Sequence, residues 1–180
     1  YNMIYVPGKL KVTSRTTKYV INAIAPEGTY TYDGEAHTAE GVTFQTLEFD
    51  GKTYTVTGLT SSVTKTNAGE YDTVITGTPT VWDGTKDVTE QFQVVTTDKG
   101  KLVIEKRDVT VTAASETREY NGSALTNSGW DVSAPTDKTG LVGSDSIANV
   151  TVTGSQTYPG ESNNTPSDAV FGTGNIANYN

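Results

Sequence analysis

The feature that most constrains this chain is that it repeats itself. Tyr32-Asp33-Gly34 closes an alternating run that starts at Gly28, and Tyr120-Asn121-Gly122 closes another that starts at Thr117. An alanine stands two residues after each Gly, at Ala36 and Ala124, and the chain then runs through Thr to Gly41 and Gly129. The offset is roughly 88 residues. A second pair, Gly8-Lys9-Leu10-Lys11-Val12 and Gly100-Lys101-Leu102-Val103-Ile104, is offset by roughly 92 residues. Two independent pairs at nearly equal spacing define a unit. Residues 13–105 form a first repeat and 106–180 a second, joined near Glu105–Asp108. Residues 1–12 read as the closing hairpin of a preceding repeat, a possible donated strand, and the second repeat lacks its own. Tyr1 is not a natural start, so a longer parent chain is expected. Open sheet edges recruit strands, so residues 1–12 are expected to complete a second repeat, in another chain or in the same one.

Within the unit the hydrophobic period is two. Lys18–Ala23 and Asp108–Ala113 are alternating strands that open each repeat. Strands are also expected at Val42–Phe44, Lys52–Gly58 and Asp72–Gly77. Asp87–Phe92 is expected to be one short helical turn capped by Asp87, with Glu90 placed for a capping box. Phe92–Val95, a turn at Asp98–Gly100 and Lys101–Glu105 read as a closing hairpin. Asp-Gly and Asn-Gly supply the positive φ that tight turns need. The fold class is all-β: two tandem small β domains in an elongated rod. An immunoglobulin-like sandwich and a β-grasp-like sheet would show the same short strands, and both stay open.

Composition narrows the function. The chain of 180 residues carries a net charge of −8 and a pI near 4.6, which argues against nucleic acid, because counterion release needs clustered Lys and Arg. The longest basic run is Lys106-Arg107, at the repeat junction. There is no cysteine, so disulfides, thiolate catalysis and zinc–thiolate sites are excluded. No stretch reaches the roughly 18 apolar residues that span a bilayer, and no membrane insertion is expected.

Few residues offer chemistry. His37 is the only histidine, and Leu125 holds its place in the second repeat, which favours packing beside the turn over a catalytic base. None of the turn carboxylates recurs with a partner in both copies, as a glycosidase would need. Asp83 and Asp87 flank a short loop and are the metal candidates, calcium being the fitting ion, although a solvated turn explains them as well. Trp82, ahead of Asp83-Gly84, is the ligand candidate, an aromatic face for a sugar, whereas Trp130 reads as core. A Lys–Asn isopeptide bond would draw on Lys18 or Lys101 with Asn22 or Asn67; Lys18 aligns with Asp108, so such a bond would not repeat, and lysines on a polar edge are expected instead. No cofactor is expected, and the chain is read as no enzyme.

The Tyr-Asp/Asn-Gly turn, the Asn67-Ala-Gly-Glu-Tyr71 segment, the Gly-Lys-Leu-x-Val/Ile strand and the Lys-Arg junction resemble the MBG/YDG-type repeats of large bacterial surface adhesins. The likeness covers nearly the whole chain, the first repeat more closely than the second, whose middle (155–168) diverges. It implies an extracellular, cell-wall or secreted stalk or adhesion module, which projects an adhesive region or builds a fibre and has neighbouring repeats as its partners, through head-to-tail strand exchange among other means. Two alternatives are a binding module for a host ligand (mucin glycan, immunoglobulin or matrix protein) and an accessory module of a secreted glycan-degrading enzyme.

Overall fold

The computed structural model describes residues 1–180. The fold is all-β: seventeen strands, with two single-turn 3-10 segments, Thr89–Gln91 and Ile176–Asn178, as its only helical structure. The first repeat carries β1 Tyr19–Ile24, β2 Gly28–Thr31, β3 His37–Glu40, β4 Thr43–Phe44, β5 Glu48–Phe49, β6 Lys52–Thr53, β7 Thr55–Thr60, β8 Ser62–Lys65, β9 Gly69–Thr73, β10 Thr76–Asp83, β11 Lys86–Asp87, β12 Phe92–Val95 and β13 Gly100–Glu105. The second carries β14 Val111–Ala113, β15 Trp130–Val132, β16 Ser146–Thr153 and β17 Thr165–Thr173. No helix is long and apolar enough to cross a membrane.

The chain folds into two compact units that interleave along the sequence. The first gathers residues 1–26, 40–62 and 73–100. Its sheets run β12-β1-β4 and β11-β10-β7. Alternation on β1 sends Ile21 and Ala23 inward, and Ala25 just beyond the strand follows them. Ile21 meets Val81 and Phe92 in one cluster, and Ala23 and Ala25 meet Ile75 in another. Three rings close around Phe92: Tyr54, Tyr19 and Phe49, with centroids at 4.8, 5.4 and 5.6 Å. A thin β layer gains much of its burial from a few such aromatics. Residues 1–12 carry no strand, and Met3, Ile4, Tyr5, Val6, Leu10 and Val12 are exposed.

The second unit gathers residues 27–39, 63–72 and 101–180. It holds the sheet β2-β13-β9 and the pairs β14-β15 and β16-β17. Its core is Tyr32, Ile104 and Tyr179, with Tyr71, Val142 and Phe171 packed against them.

The expected closing hairpin is not formed: Phe92–Val95 and Gly100–Glu105 lie in different sheets. β12 runs parallel to β1, with Tyr19 opposite Phe92, and β13 runs parallel to β2, with Leu102 opposite Gly28. The bend between β1 and β2 is thus matched by the bend between β12 and β13, and each strand finds its partner non-locally. The Tyr-Asp-Gly turn likewise joins strands that pair elsewhere, β2 with β13 and β3 with β8, and is no hairpin. Gly34 and Gly122 take φ of 85° and 79° there, the positive values the sequence calls for.

The pairings recur at the sequence spacing. Ala23↔Phe44 and Ile24↔Thr43 become Val111↔Val132 and Thr112↔Asp131, every partner shifted by 88 residues. The parallel pair Tyr19↔Phe92 becomes the bridge Arg107↔Tyr179. Asp33 accepts from Glu35 N–H at 2.9 Å, and Asn121 from Ser123 N–H at 3.0 Å. Thr73 Oγ1 donates to Pro26 O at 2.7 Å, as Asn164 Nδ2 does to Ala114 O at 2.9 Å. Each 3-10 turn ends on an aromatic in the same extended conformation, Phe92 and Tyr179.

Candidate functional site

Trp82 lies within β10, half-buried, and its Nε1 donates to Thr57 Oγ1 at 2.9 Å. It is a strand residue tied to its neighbour. Asp83 is paired with Lys52 at 2.9 Å. Asp87 faces Trp82 across the ladder and accepts from Thr89 N–H and Oγ1 at 2.9 and 2.6 Å, bonds that hold its carboxyl below the usual carboxylate range. The two acids are therefore engaged separately, and no group of three metal-ligating side chains forms anywhere. Asp87 braces the turn at Thr89, one residue on from a helix cap, and the expected helical turn is a 3-10 turn without a side-chain cap.

His37 begins β3. Its Nε2 lies 2.9 Å from Asp33 Oδ1, and its ring stacks on Tyr30 at 4.1 Å. Desolvation pushes the Asp33 carboxyl up, but the Glu35 N–H and His37 outweigh it and set it below its ordinary value. Lys101 pairs with Glu70, and Asn22 donates to Gln45 Oε1 at 2.9 Å. Trp130 is half-buried on β15.

The densest polar cluster sits at the repeat junction, inside the second unit. Arg107 is 5% exposed. All five of its N–H groups meet main-chain carbonyls: Nε donates to Gly140 O at 2.9 Å, Nη1 to Tyr32 O and Asp137 O at 3.2 and 3.1 Å, and Nη2 to Thr139 O at 3.1 Å and to Thr136 O. A buried charge is tolerated only when its hydrogen bonds are complete, and here five carbonyl dipoles complete them. The Arg107 main chain adds two bonds, N–H to Asn178 O at 2.9 Å and O from Asn180 N–H at 3.0 Å.

Motif residues of the first repeat meet this junction. Ala68 N–H donates to Asn178 Oδ1 at 2.8 Å, and Asn178 Nδ2 donates to Asn67 Oδ1 at 3.1 Å. Tyr32 meets Tyr179 edge to face at 5.5 Å. Tyr179 OH donates to Asp145 Oδ2 at 2.6 Å and accepts from Val142 N–H at 3.0 Å. Burial, then the bond to Asp145, pushes the Tyr179 hydroxyl far above its ordinary range; burial and Asp145 push Tyr32 up as well. The sequence marked Tyr32, Asn67 and the Lys-Arg pair as motif residues but assigned them no contacts. Asp145 and Asn178 carried no signal, since neither stands in a repeated motif.

The second unit also has an open groove of about 680 Å³, lined by residues 113–121 on one side and 154–164 on the other. Tyr120 and Tyr158 stand exposed at its rim, with ring centroids 6.4 Å apart and nearly parallel.

Compared with known proteins, the chain matches no family model, no curated protein and no solved structure.

Proposed function

We propose that this chain is a pair of tandem structural repeats of a bacterial surface-exposed or secreted protein, a non-catalytic spacer of the MBG/YDG adhesin-repeat type. It holds an adhesive region away from the cell, or forms part of an extracellular fibre. The observation that carries this reading is the junction at Arg107. A flexible linker would leave Glu105–Asp108 solvated, whereas here the residues between the repeats are bonded on every side. Motif residues Tyr32, Asn67 and Ala68 face Asn178 and Tyr179 across it. A junction of this kind makes successive repeats stiff, which suits a spacer. The partners of such a chain are its neighbouring repeats, joined covalently in the array or by strand exchange.

The reading is tested by screening the immobilised chain against mucin glycans, immunoglobulin and matrix proteins, alongside protease shaving of intact source cells. A spacer gives surface-released peptides and no saturable binding. The exposed Tyr120–Tyr158 pair favours one alternative, a glycan-binding module. Saturable binding lost in Y120A/Y158A would replace the spacer with that module.

A further inference from the structure

We infer that the open groove of the second repeat is a strand acceptor, and that its occupant is the segment Gly8–Thr13 of a second copy of this chain. The inference rests on the repeat reading above and gives that array a specific partner site.

The first repeat shows what such a groove holds. There β13 lies between β2 and β9. Gly100, Leu102 and Ile104 point inward and are buried, while Lys101 and Glu105 point out. The groove walls in the second repeat are the counterparts of those flanking strands. Residues 116–119 stand 88 positions after β2, just as Tyr120 follows Tyr32. Across the groove, Gly160-Glu161 stands 91 positions after Gly69-Glu70, and both glycines adopt positive φ, 156° and 146°. The Thr73–Pro26 bond at the head of β13 has its counterpart in Asn164–Ala114. Residues 116–119 nevertheless belong to no strand, because the partner that β13 provides for β2 is not placed beside them.

The chain carries one unpaired strand of the right pattern. Gly8-Lys9-Leu10-Lys11-Val12-Thr13 alternates as β13 does, belongs to no strand and leaves Leu10 and Val12 fully exposed. Gly100 must be glycine, since a Cβ there would lie 2.3 Å from Pro26 O and 2.7 Å from Thr73 Oγ1; Gly8 supplies a glycine at the equivalent place. Lys101 pairs with Glu70, and Lys9 and Glu161 are the corresponding residues, of opposite charge. In this register the donated strand runs parallel to the acceptor, with Leu10 opposite Glu116 and Val12 opposite Arg118. Donor and acceptor are different surfaces, so the contact is heterologous and propagates head to tail.

The test uses the 180-residue chain and a version lacking residues 1–13, both checked for native circular dichroism. Light scattering after size exclusion should show oligomers that grow with concentration for the first and a monomer for the second. A chain bearing K9C, mixed with one bearing E161C and oxidised, should give a disulfide-linked dimer; the native chain has no cysteine to compete. K9E should weaken self-association up to about fivefold, with E161K restoring it. A full-length chain that stays monomeric throughout, a K9C/E161C double variant that links only within itself, or no link at all would each overturn the inference. The stability of Arg107 variants reports on the array reading independently, so failure here is distinguishable from failure there.

Discussion

At the scale of single residues, Arg107 and Tyr179 carry the sharpest consequences. Lysine at 107 offers three donors from a point charge where a planar fork meets five carbonyls. R107K is expected to cost roughly 2 kcal/mol and R107M about 3 kcal/mol or more, because carbonyls are left buried without donors; urea denaturation checks both. Tyr179 and Tyr32 have hydroxyls held protonated above their unfolded value, which is about 10. A raised value means the neutral form is favoured by folding. This contribution is therefore complete below about pH 10 and is lost as pH climbs beyond it. Thermal melts from pH 8 to 12 should show a decline on the alkaline side that is shallower in Y179F. At pH 7 that variant should also lose about 1–3 kcal/mol, because Asp145 and the Val142 N–H each lose a partner. On the acid side Asp33 acts in the opposite sense: its depressed value contributes stability above about pH 4 that fades below it.

At the scale of elements, β13 and residues 8–12 have the same pattern and opposite environments. Leu102 is 0% exposed and Leu10 is 105% exposed. L102A is expected to cost about 2–5 kcal/mol, whereas L10A should leave the melting temperature of the dilute chain unchanged; calorimetry on both separates sequence pattern from placement. The same contrast bounds what was legible beforehand. Alternation located β1, β12 and β13 to within a residue, because period two is a local property. It could not say that β12 and β13 pair with β1 and β2 in parallel, since a parallel partner is non-local and leaves no turn signature. Asp108–Ala113 reads as one strand, yet only Val111–Ala113 pairs with β15. Arg107 and Asp108 are taken instead by single bridges to Tyr179 and Thr139. The junction was visible as a Lys-Arg pair, but nothing in a two-residue motif foretells five carbonyls converging on it. Trp82 shows the same limit: its position before Asp-Gly suggested a loop tip, and strand pairing with Thr55 and Asp87 decided otherwise.

At the scale of the molecule, each unit has its own core, Ile21 with Val81 and Phe92 in one and Tyr32 with Ile104 and Tyr179 in the other. The chain passes between the units at residues 26–27, 39–40, 62–63, 72–73 and 100–101. Unfolding one unit alone would leave its segments as loops pinned at both ends by the other, and closed loops gain less entropy than free chains. I21A and I104A are therefore each expected to lower a single cooperative transition, with no separate early step; differential scanning calorimetry compared with the van't Hoff enthalpy checks this.

The recurrence of pairings at 88 residues has a consequence for heredity. A unit whose contacts to its neighbour are drawn from the same positions every time can be copied or lost whole, in frame, by unequal recombination between its own coding repeats. Each such event would deliver a boundary already furnished with its tyrosine, asparagine and arginine, so a gene of this construction could change the reach of its product in one step without first inventing a new joint.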